Sequence, residues 1–119
     1  MNRDDVSWRG YWPACPTPFH QDGSYDPESH RALLELYLAL GVHGVLINGT
    51  TGEWFSQTAD ERRLVAETAI DQVAGRVPVV VGCAAYTARE WFGKGIDRRL
   101  ICQSLERSRA GHAASTADC

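Results

Sequence analysis

The stretch Gly49-Thr50-Thr51-Gly52-Glu53 joins a predicted strand to a predicted helix. The apolar run over residues 42–47 predicts the strand, and a Thr58-x-x-Glu61 capping box predicts where the helix begins. The two glycines allow a tight turn whose N–H groups can converge on an anion, and the threonines add hydroxyl donors. The stretch therefore predicts an anion-binding loop of an α/β fold. The alternative is a loop whose threonines only satisfy nearby backbone groups.

Two amphipathic helices and two further strands surround this loop in a βαβαβ order. The first helix is predicted to begin at Pro27, after an Asp26 cap, and to end at Gly41. The second is predicted over residues 59–74. Strands are predicted to start near residues 11, 42 and 77, and the β-branched run 77–81 is typical of a strand covered on both faces. The predicted apolar stripe of the first helix is Leu33, Leu36, Tyr37 and Leu40, and the predicted buried face of the second is Leu64, Val65, Thr68, Ala69 and Val73.

Composition excludes several classes of protein. The chain has 119 residues, 44% of them hydrophobic, which is enough for one modest core. A net charge of −3 argues against a nucleic-acid surface. Residues 1–10 contain no apolar signal region, and the longest apolar run, 77–86, is far shorter than the ~20 residues that span a bilayer. We therefore expect a cytoplasmic protein without nucleic-acid or membrane partners.

Cysteines and histidines show no metal-binding spacing, so neither a metal nor a cofactor is expected. The four cysteines are predicted to be free thiols, and the four histidines are predicted to be surface or loop residues. These residues are Cys15, Cys83, Cys102 and Cys119, and His20, His30, His43 and His112.

Residues 8–90 resemble the pyruvate-dependent lyases of the dihydrodipicolinate synthase / N-acetylneuraminate lyase family. The resemblance rests on four blocks that occur in the family's order and spacing. They are Pro13-Ala14-Cys15-Pro16-Thr17-Pro18-Phe19 with Asp22-Gly23, Gly41-Val42-His43-Gly44 with the Gly49–Glu53 stretch, Thr58 with Glu61-Arg62-Arg63, and Gly75-Arg76-Val77-Pro78-Val79 with Gly82.

The resemblance implies that residues 1–90 are the N-terminal part of a TIM (β/α)8 barrel. A complete barrel takes ~250 residues, so this chain would hold about three of the eight units. A small flavodoxin-like domain is the structural alternative. It needs about five parallel strands, and the sequence predicts three.

For chemistry, the resemblance implies a class I aldolase, in which a lysine forms a Schiff base with pyruvate for condensation with, or release from, an aldehyde. Thr51 would hold the pyruvate carboxylate within the Gly49–Gly52 turn, and Thr50 would lie in a proton relay between two tyrosines. The family's lysine and relay tyrosines come from later strands. Lys94, the single lysine here, lies between two glycines and is not expected to be the nucleophile. Family members are usually homo-oligomeric.

Residues 91–119 depart from the family pattern. The capping box over residues 87–90 predicts a helix, which Gly93 and Gly95 interrupt at once. We hypothesise that this tail arises from a frameshift or truncation, which the other reading frames after codon 90 would reveal; a divergent tail of a real short protein is the alternative. The chain is then expected to be an inactive lyase fragment, or alternatively a non-catalytic half-barrel module for binding or interaction.

The residues that follow the loop show two further features, to which the sequence assigns no role. Trp54 and Phe55 form an apolar pair after the loop, near the expected mouth of the barrel. Gln57 occupies a position where the family tends to place an apolar residue. Burying its amide would cost roughly 1–3 kcal/mol unless the amide is hydrogen-bonded.

Overall fold

The structure, a computed structural model, describes residues 6–87. Within them are two α-helices, α1 (Pro27–Ala39) and α2 (Ala59–Val73), and two strands, β1 (Val45–Ile47) and β2 (Val79–Val81). A short 3-10 turn, Trp54–Ser56, precedes α2. The strands pair in parallel, with Leu46 opposite Val80. The predicted α/β order is therefore present, and it includes the parallel pairing that a barrel requires.

The predicted first strand, residues 11–15, lies along the free side of β1 but forms only one parallel bridge, between Ala14 and Leu46. The Cys15 N–H donates to the Leu46 carbonyl at 2.8 Å, and the Leu46 N–H donates to the Pro13 carbonyl at 3.0 Å. Pro13 and Pro16 flank these bonds and have no N–H of their own, which prevents a longer ladder. The spatial order is thus residues 11–15, β1, β2, the same as in the chain.

The core lies between the sheet and the two helices. α1 and α2 pack against each other, α2 also contacts β1 and β2, and Leu34 of α1 joins the same buried cluster. Small residues of α2, Ala66 and Ala69, allow this close approach. The fully buried cluster consists of Cys15, Leu34, Val42, Val45, Ile47, Ala66, Ala69 and Val73.

The predicted apolar stripe of α1 is wrong at two positions. Leu36 and Leu40 are exposed, whereas Leu34 is completely buried. The helix carries leucines on more than one side, so periodicity alone did not identify the buried side. His30, one turn before Leu34 on the same side of the helix, is also buried, so this side of α1 faces the core.

The predicted buried face of α2 is wrong at Leu64, which is exposed, and it omits Arg62, Ala66 and Ile70, which are buried. A helix that touches both a sheet and another helix buries a wider face than one stripe. The predicted capping box is confirmed: the Thr58 hydroxyl accepts from the Glu61 N–H, and the Glu61 carboxylate accepts from the Thr58 N–H.

The surface or loop placement predicted for His30 is also wrong. Its ring is 1% exposed, and Nδ1 lies 2.7 Å from the Tyr25 hydroxyl. Burial lowers the pKa of His30 to about 4, so the ring is neutral near pH 7. His20 and His43 are exposed as predicted, and His112 lies outside the described residues.

Strand β2 is only half-buried within residues 6–87, although it was predicted to be covered on both faces. Val79 and Val81 pack against the core, and no described residue pairs with the outer edge of β2. The predicted helix after residue 87 and the tail 91–119 lie outside the described part of the chain.

Candidate active site

The predicted anion loop begins where β1 ends, at the carboxyl edge of the sheet. Asn48 leaves the strand in a left-handed conformation, with φ of 52°, and the following turn closes where the Glu53 N–H donates to the Thr50 carbonyl at 3.0 Å. Thr50 and Thr51 are exposed at the tip of this turn. In parallel α/β folds this edge is where ligands bind.

Gly52 anchors the loop to the segment before α1. A Cβ at this position would lie 3.1 Å from the Asn48 nitrogen, 3.2 Å from the Cys15 carbonyl oxygen and 3.3 Å from the Thr17 hydroxyl. The Thr17 hydroxyl donates to the Gly52 carbonyl at 2.7 Å. A side chain here would force these neighbours to move by a few tenths of an ångström, so glycine suits the close packing at this position.

Gln57 holds the same carbonyl from the other side. Its Nε2 donates to the Gly52 carbonyl at 2.7 Å and lies 3.3 Å from the Thr17 hydroxyl, which offsets the predicted cost of burying this amide. Its Oε1 is buried without a partner among residues 6–87. Sequence reasoning missed Thr17, because the 35 residues between it and Gly52 leave no local signal.

Arg62 and Asn48, two buried residues that the sequence did not identify as site residues, join the loop to α2. Asn48 Nδ2 donates to the Arg62 carbonyl at 2.9 Å. The Arg62 guanidinium donates to the Ala84 carbonyl at 2.6 Å and lies 5.3 Å above the centre of the Trp54 ring. These contacts link the beginning of the loop, α2 and the segment after β2.

The Trp54–Phe55 pair forms an apolar patch beside the loop, as its position in the sequence suggested. The Trp54 ring lies 4.9 Å from the Tyr86 ring and 6.0 Å from Phe55. Phe55 and Tyr86 are both largely exposed. Aromatic side chains therefore lie beside the exposed turn.

The other described tyrosines contact residues other than Thr50 and Thr51. Tyr25 is buried against His30, Tyr37 is half-buried against the core, and Tyr11 is exposed. The expected relay tyrosines are not among the described contacts of Thr50, and Lys94 lies outside residues 6–87.

Other kinds of functional site have little support within residues 6–87. No group of three or more His, Cys, Asp or Glu side chains there is placed to hold a metal ion. Burial raises the pKa of the Cys15 thiol to about 11, which makes it a poor nucleophile. None of the helices within residues 6–87 is long and apolar enough to span a membrane. The exposed turn itself carries the Thr50 and Thr51 hydroxyls, which are neutral hydrogen-bond donors of the kind that suits a carboxylate.

Most of the chain, including this loop, matches one family of known proteins. The sequence profile of the dihydrodipicolinate synthetase family matches residues 7–93. A DapA-like lyase of Rhizobium meliloti is 46% identical over 85 residues, which cover 71% of this chain and 28% of the relative. A 4-hydroxy-tetrahydrodipicolinate synthase of Thermus thermophilus is 47% identical over 83 residues, covering 70% of this chain and 27% of the relative.

A solved structure shows the same arrangement of elements. A prophage protein of the dihydrodipicolinic acid synthase family from E. coli K12, in complex with pyruvate, superimposes with a TM-score of 0.70 at 32% identity. The alignment covers 85% of this chain and 32% of that protein. The chain thus spans less than a third of the length of these proteins.

Proposed function

The chain belongs to the dihydrodipicolinate synthetase family, and we propose that its Gly49–Gly52 loop is the pyruvate-carboxylate site of a carbon–carbon lyase. The similar proteins are a lyase and a synthase by name, and the prophage protein was solved with pyruvate. These names favour an enzyme over a non-catalytic binding module.

One observation carries this proposal. The turn bearing Thr50 and Thr51 is exposed at the carboxyl edge of the sheet, while the Gly52 carbonyl beneath it is held by Thr17 and Gln57. A carboxylate is bound well by neutral donors whose positions are fixed before the ligand arrives, because no reorganisation cost is then paid. We assign Thr51 to the carboxylate, through its N–H and hydroxyl, and Thr50 to proton transfer.

The reaction that we propose for the complete enzyme proceeds through a Schiff base. A lysine amine adds to the pyruvate ketone and water leaves, giving an iminium that loses a proton from the pyruvate methyl group to become an enamine. The enamine carbon attacks the aldehyde carbonyl, whose oxygen takes up a proton, and water then releases the product from the lysine; cleavage is the reverse. The nucleophile needs a lowered pKa, obtained by burial or a neighbouring cation. Lys94, between two glycines, has no sequence signature of such a site. We therefore propose that the 119-residue chain alone is inactive.

Grafting residues 8–90 onto the remaining units of a complete family member tests the roles of the threonines. Thr51→Val should weaken pyruvate binding by about 1.5–3 kcal/mol, the value of a hydrogen bond to a charged group. Thr50→Val should lower kcat more than it raises KM, because a proton relay acts in the transition state. Ser56→Ala, which removes an exposed hydroxyl just beyond the loop, is the control. If both threonine variants keep normal kinetics, these roles are wrong.

Borohydride trapping tests the inactivity of the chain itself. Incubation with pyruvate and borohydride should leave Lys94 unmodified in the mass spectrum, whereas a complete family member treated in the same way should gain a pyruvate-derived adduct. A stoichiometric adduct on Lys94 would show that this lysine is the nucleophile and that the proposed inactivity is wrong.

A further inference from the structure

We propose that Asn48 is a positioning residue that sets the conformation of the Thr50–Thr51 turn. This inference rests on the proposed pyruvate site and adds to it a residue that touches no substrate. Asn48 lies between the last residue of β1 and Gly49, and it is completely buried. Whatever fixes its backbone therefore fixes the direction in which the loop leaves the sheet.

The backbone of Asn48 is enclosed by two glycines. A Cβ on Gly52 would lie 3.1 Å from the Asn48 nitrogen, and a Cβ on Gly82 would overlap the Asn48 carbonyl. The φ of 52° belongs to the left-handed region, which among non-glycine residues Asn tolerates best. Residue 48 thus makes a sharp turn at a point where the absence of side chains on Gly52 and Gly82 leaves room for its backbone.

The side chain of Asn48 holds this turn against α2. Nδ2 donates to the Arg62 carbonyl at 2.9 Å, across 14 residues of sequence. Arg62 also reaches the far end of the loop, because its guanidinium lies over the Trp54 ring. Arg62 therefore contacts a residue before the two threonines, Asn48, and a residue after them, Trp54.

Position 48 requires an amide side chain, because it must both adopt a left-handed backbone and donate a hydrogen bond to α2. Glycine would accept the left-handed backbone but would lose the bond to α2. Aspartate has nearly the same shape, but its carboxylate oxygens would face the Arg62 carbonyl without a hydrogen to donate. The Asn48 Oδ1 is buried and has no partner among residues 6–87, which offsets part of the stability that the Nδ2 bond supplies. Substitution should therefore disturb the loop more than the whole fold.

Hydrogen exchange of the full 119-residue chain, followed by mass spectrometry, tests this role. The Glu53, Ser56 and Gln57 N–H groups are hydrogen-bonded within and just after the turn, so a peptide over residues 49–57 reports on the loop. In Asn48→Gly, exchange of this peptide should accelerate about tenfold, while a peptide over residues 63–73 changes much less. In Asn48→Asp, the buried carboxylate should also accelerate the α2 peptide, but by a smaller factor than the loop peptide. The control, Val73→Ala, removes a buried methyl pair from the other end of α2.

The outcomes of the exchange experiment are distinct. Val73→Ala should accelerate the α2 peptide without singling out the loop. If the loop peptide of both Asn48 variants exchanges at the wild-type rate, or if loop and α2 accelerate by the same factor, Asn48 does not position the loop. A wild-type loop that already exchanges as fast as an unfolded peptide would also overturn the proposal.

Titration of pyruvate, observed by ligand NMR, supplies the functional measurement. The pyruvate Kd should rise about fivefold or more in the Asn48 variants and stay unchanged in Val73→Ala, because displaced donors bind poorly. Equal affinity in wild type and Asn48 variants would overturn the positioning role. If the wild-type chain binds no pyruvate while its loop exchange still depends on Asn48, the loop alone does not bind the carboxylate and the positioning of the loop stands; loss of pyruvate binding in the grafted Thr51→Val enzyme then decides the proposed site separately.

Discussion

Arg62 is a buried cation that no carboxylate balances within residues 6–87. It is 4% exposed, and its guanidinium contacts the Ala84 carbonyl and the Trp54 ring. Its Nε has no partner there. A planar guanidinium can stack on an aromatic face while its edge donates to a carbonyl, a geometry that a compact ammonium group matches less well. The contact therefore depends on arginine and not on positive charge alone.

Arg62→Lys should lower the free energy of unfolding by about 1–2 kcal/mol, because the ring contact is lost while a charge stays buried. Urea unfolding followed by circular dichroism measures this change. Arg63→Lys is the matched control: Arg63 is exposed and pairs with Glu67 at 3.9 Å. It should change stability by less than about 0.5 kcal/mol. Equal losses in the two variants would show that the planar contact contributes nothing.

His30 should make stability depend on pH. Burial lowers its pKa from 6.5 to about 4, so between these values the unfolded chain binds a proton that the folded chain excludes. The free energy of unfolding should therefore fall as pH drops from 6.5 to 4, by roughly 3 kcal/mol in total. Glu35, whose pKa is lowered chiefly by Arg76 and also by Gln72, loses its contribution at lower pH, below 4.5.

Replacing His30 with phenylalanine should abolish most of this slope, although it also removes the bond to Tyr25 and lowers stability at every pH. His43→Gln, at an exposed histidine, should retain the slope. Urea unfolding at pH 7, 6, 5 and 4 measures all three proteins. A wild-type chain equally stable across this range would contradict the buried, neutral His30.

At the scale of elements, both helices begin at caps that their own residues supply. Asp26 accepts from the Glu28 and Ser29 N–H groups at 3.1 and 3.0 Å, and Pro27 follows at the first helical position. Since each cap involves only residues within a single turn, its geometry is determined locally. This is why both helix starts were predicted to the residue.

The two helices are joined at the surface by an ion pair. Arg76, just after α2, contacts the Glu35 carboxylate of α1 with both terminal nitrogens, and Gln72 donates to the same carboxylate. The guanidinium and then the amide hold the pKa of Glu35 down to about 2. This exposed link joins α1 to the end of α2 at the surface, beside the buried cluster that packs the two helices together.

Thr58→Ala should lower the free energy of unfolding by about 1 kcal/mol, because it removes one side of the capping box and leaves an N–H of α2 without its acceptor. Thermal and urea unfolding measure the change. Asp71→Ala, at an exposed position near the other end of α2, is the control and should have little effect. If the two variants behave alike, the capping box does not stabilise α2.

At the scale of the whole molecule, the sheet has two sides of different character. Val79 and Val81 point to the helices and pack on the core, and Val80 alternates to the opposite face. The outer edge of β2 is unpaired among residues 6–87. In a closed barrel both that edge and that face are covered. An uncovered apolar strand is a site of self-association.

We therefore predict that the 119-residue chain associates in solution and that a charge at Val80 reduces this. Val80→Lys should shift the sedimentation profile toward monomer with little loss of secondary structure. Val81→Lys, one residue further along, should instead unfold the chain, because its side chain enters the core. A monodisperse wild-type chain, or equal effects of the two substitutions, would contradict this view of the sheet.

The sequence by itself determined the features that depend on near neighbours. These are the helix starts, the glycine-bracketed loop after β1 and the order of strands and helices along the chain, and they arise from caps, turns and β-branched runs that act within a few residues. The family motifs added the expectation of a partial barrel, and the parallel pairing of β1 with β2 agrees with it.

Only the tertiary structure decided which side of each helix is buried and what holds the loop. Leu34 is in the core while Leu36 is outside, and His30 is buried beside Tyr25. The bond between Thr17 and Gly52 joins residues 35 apart, and that between Asn48 and Arg62 joins residues 14 apart. Local propensity carries no information on such pairs, because their energy exists only once the sheet and helices have brought the partners together.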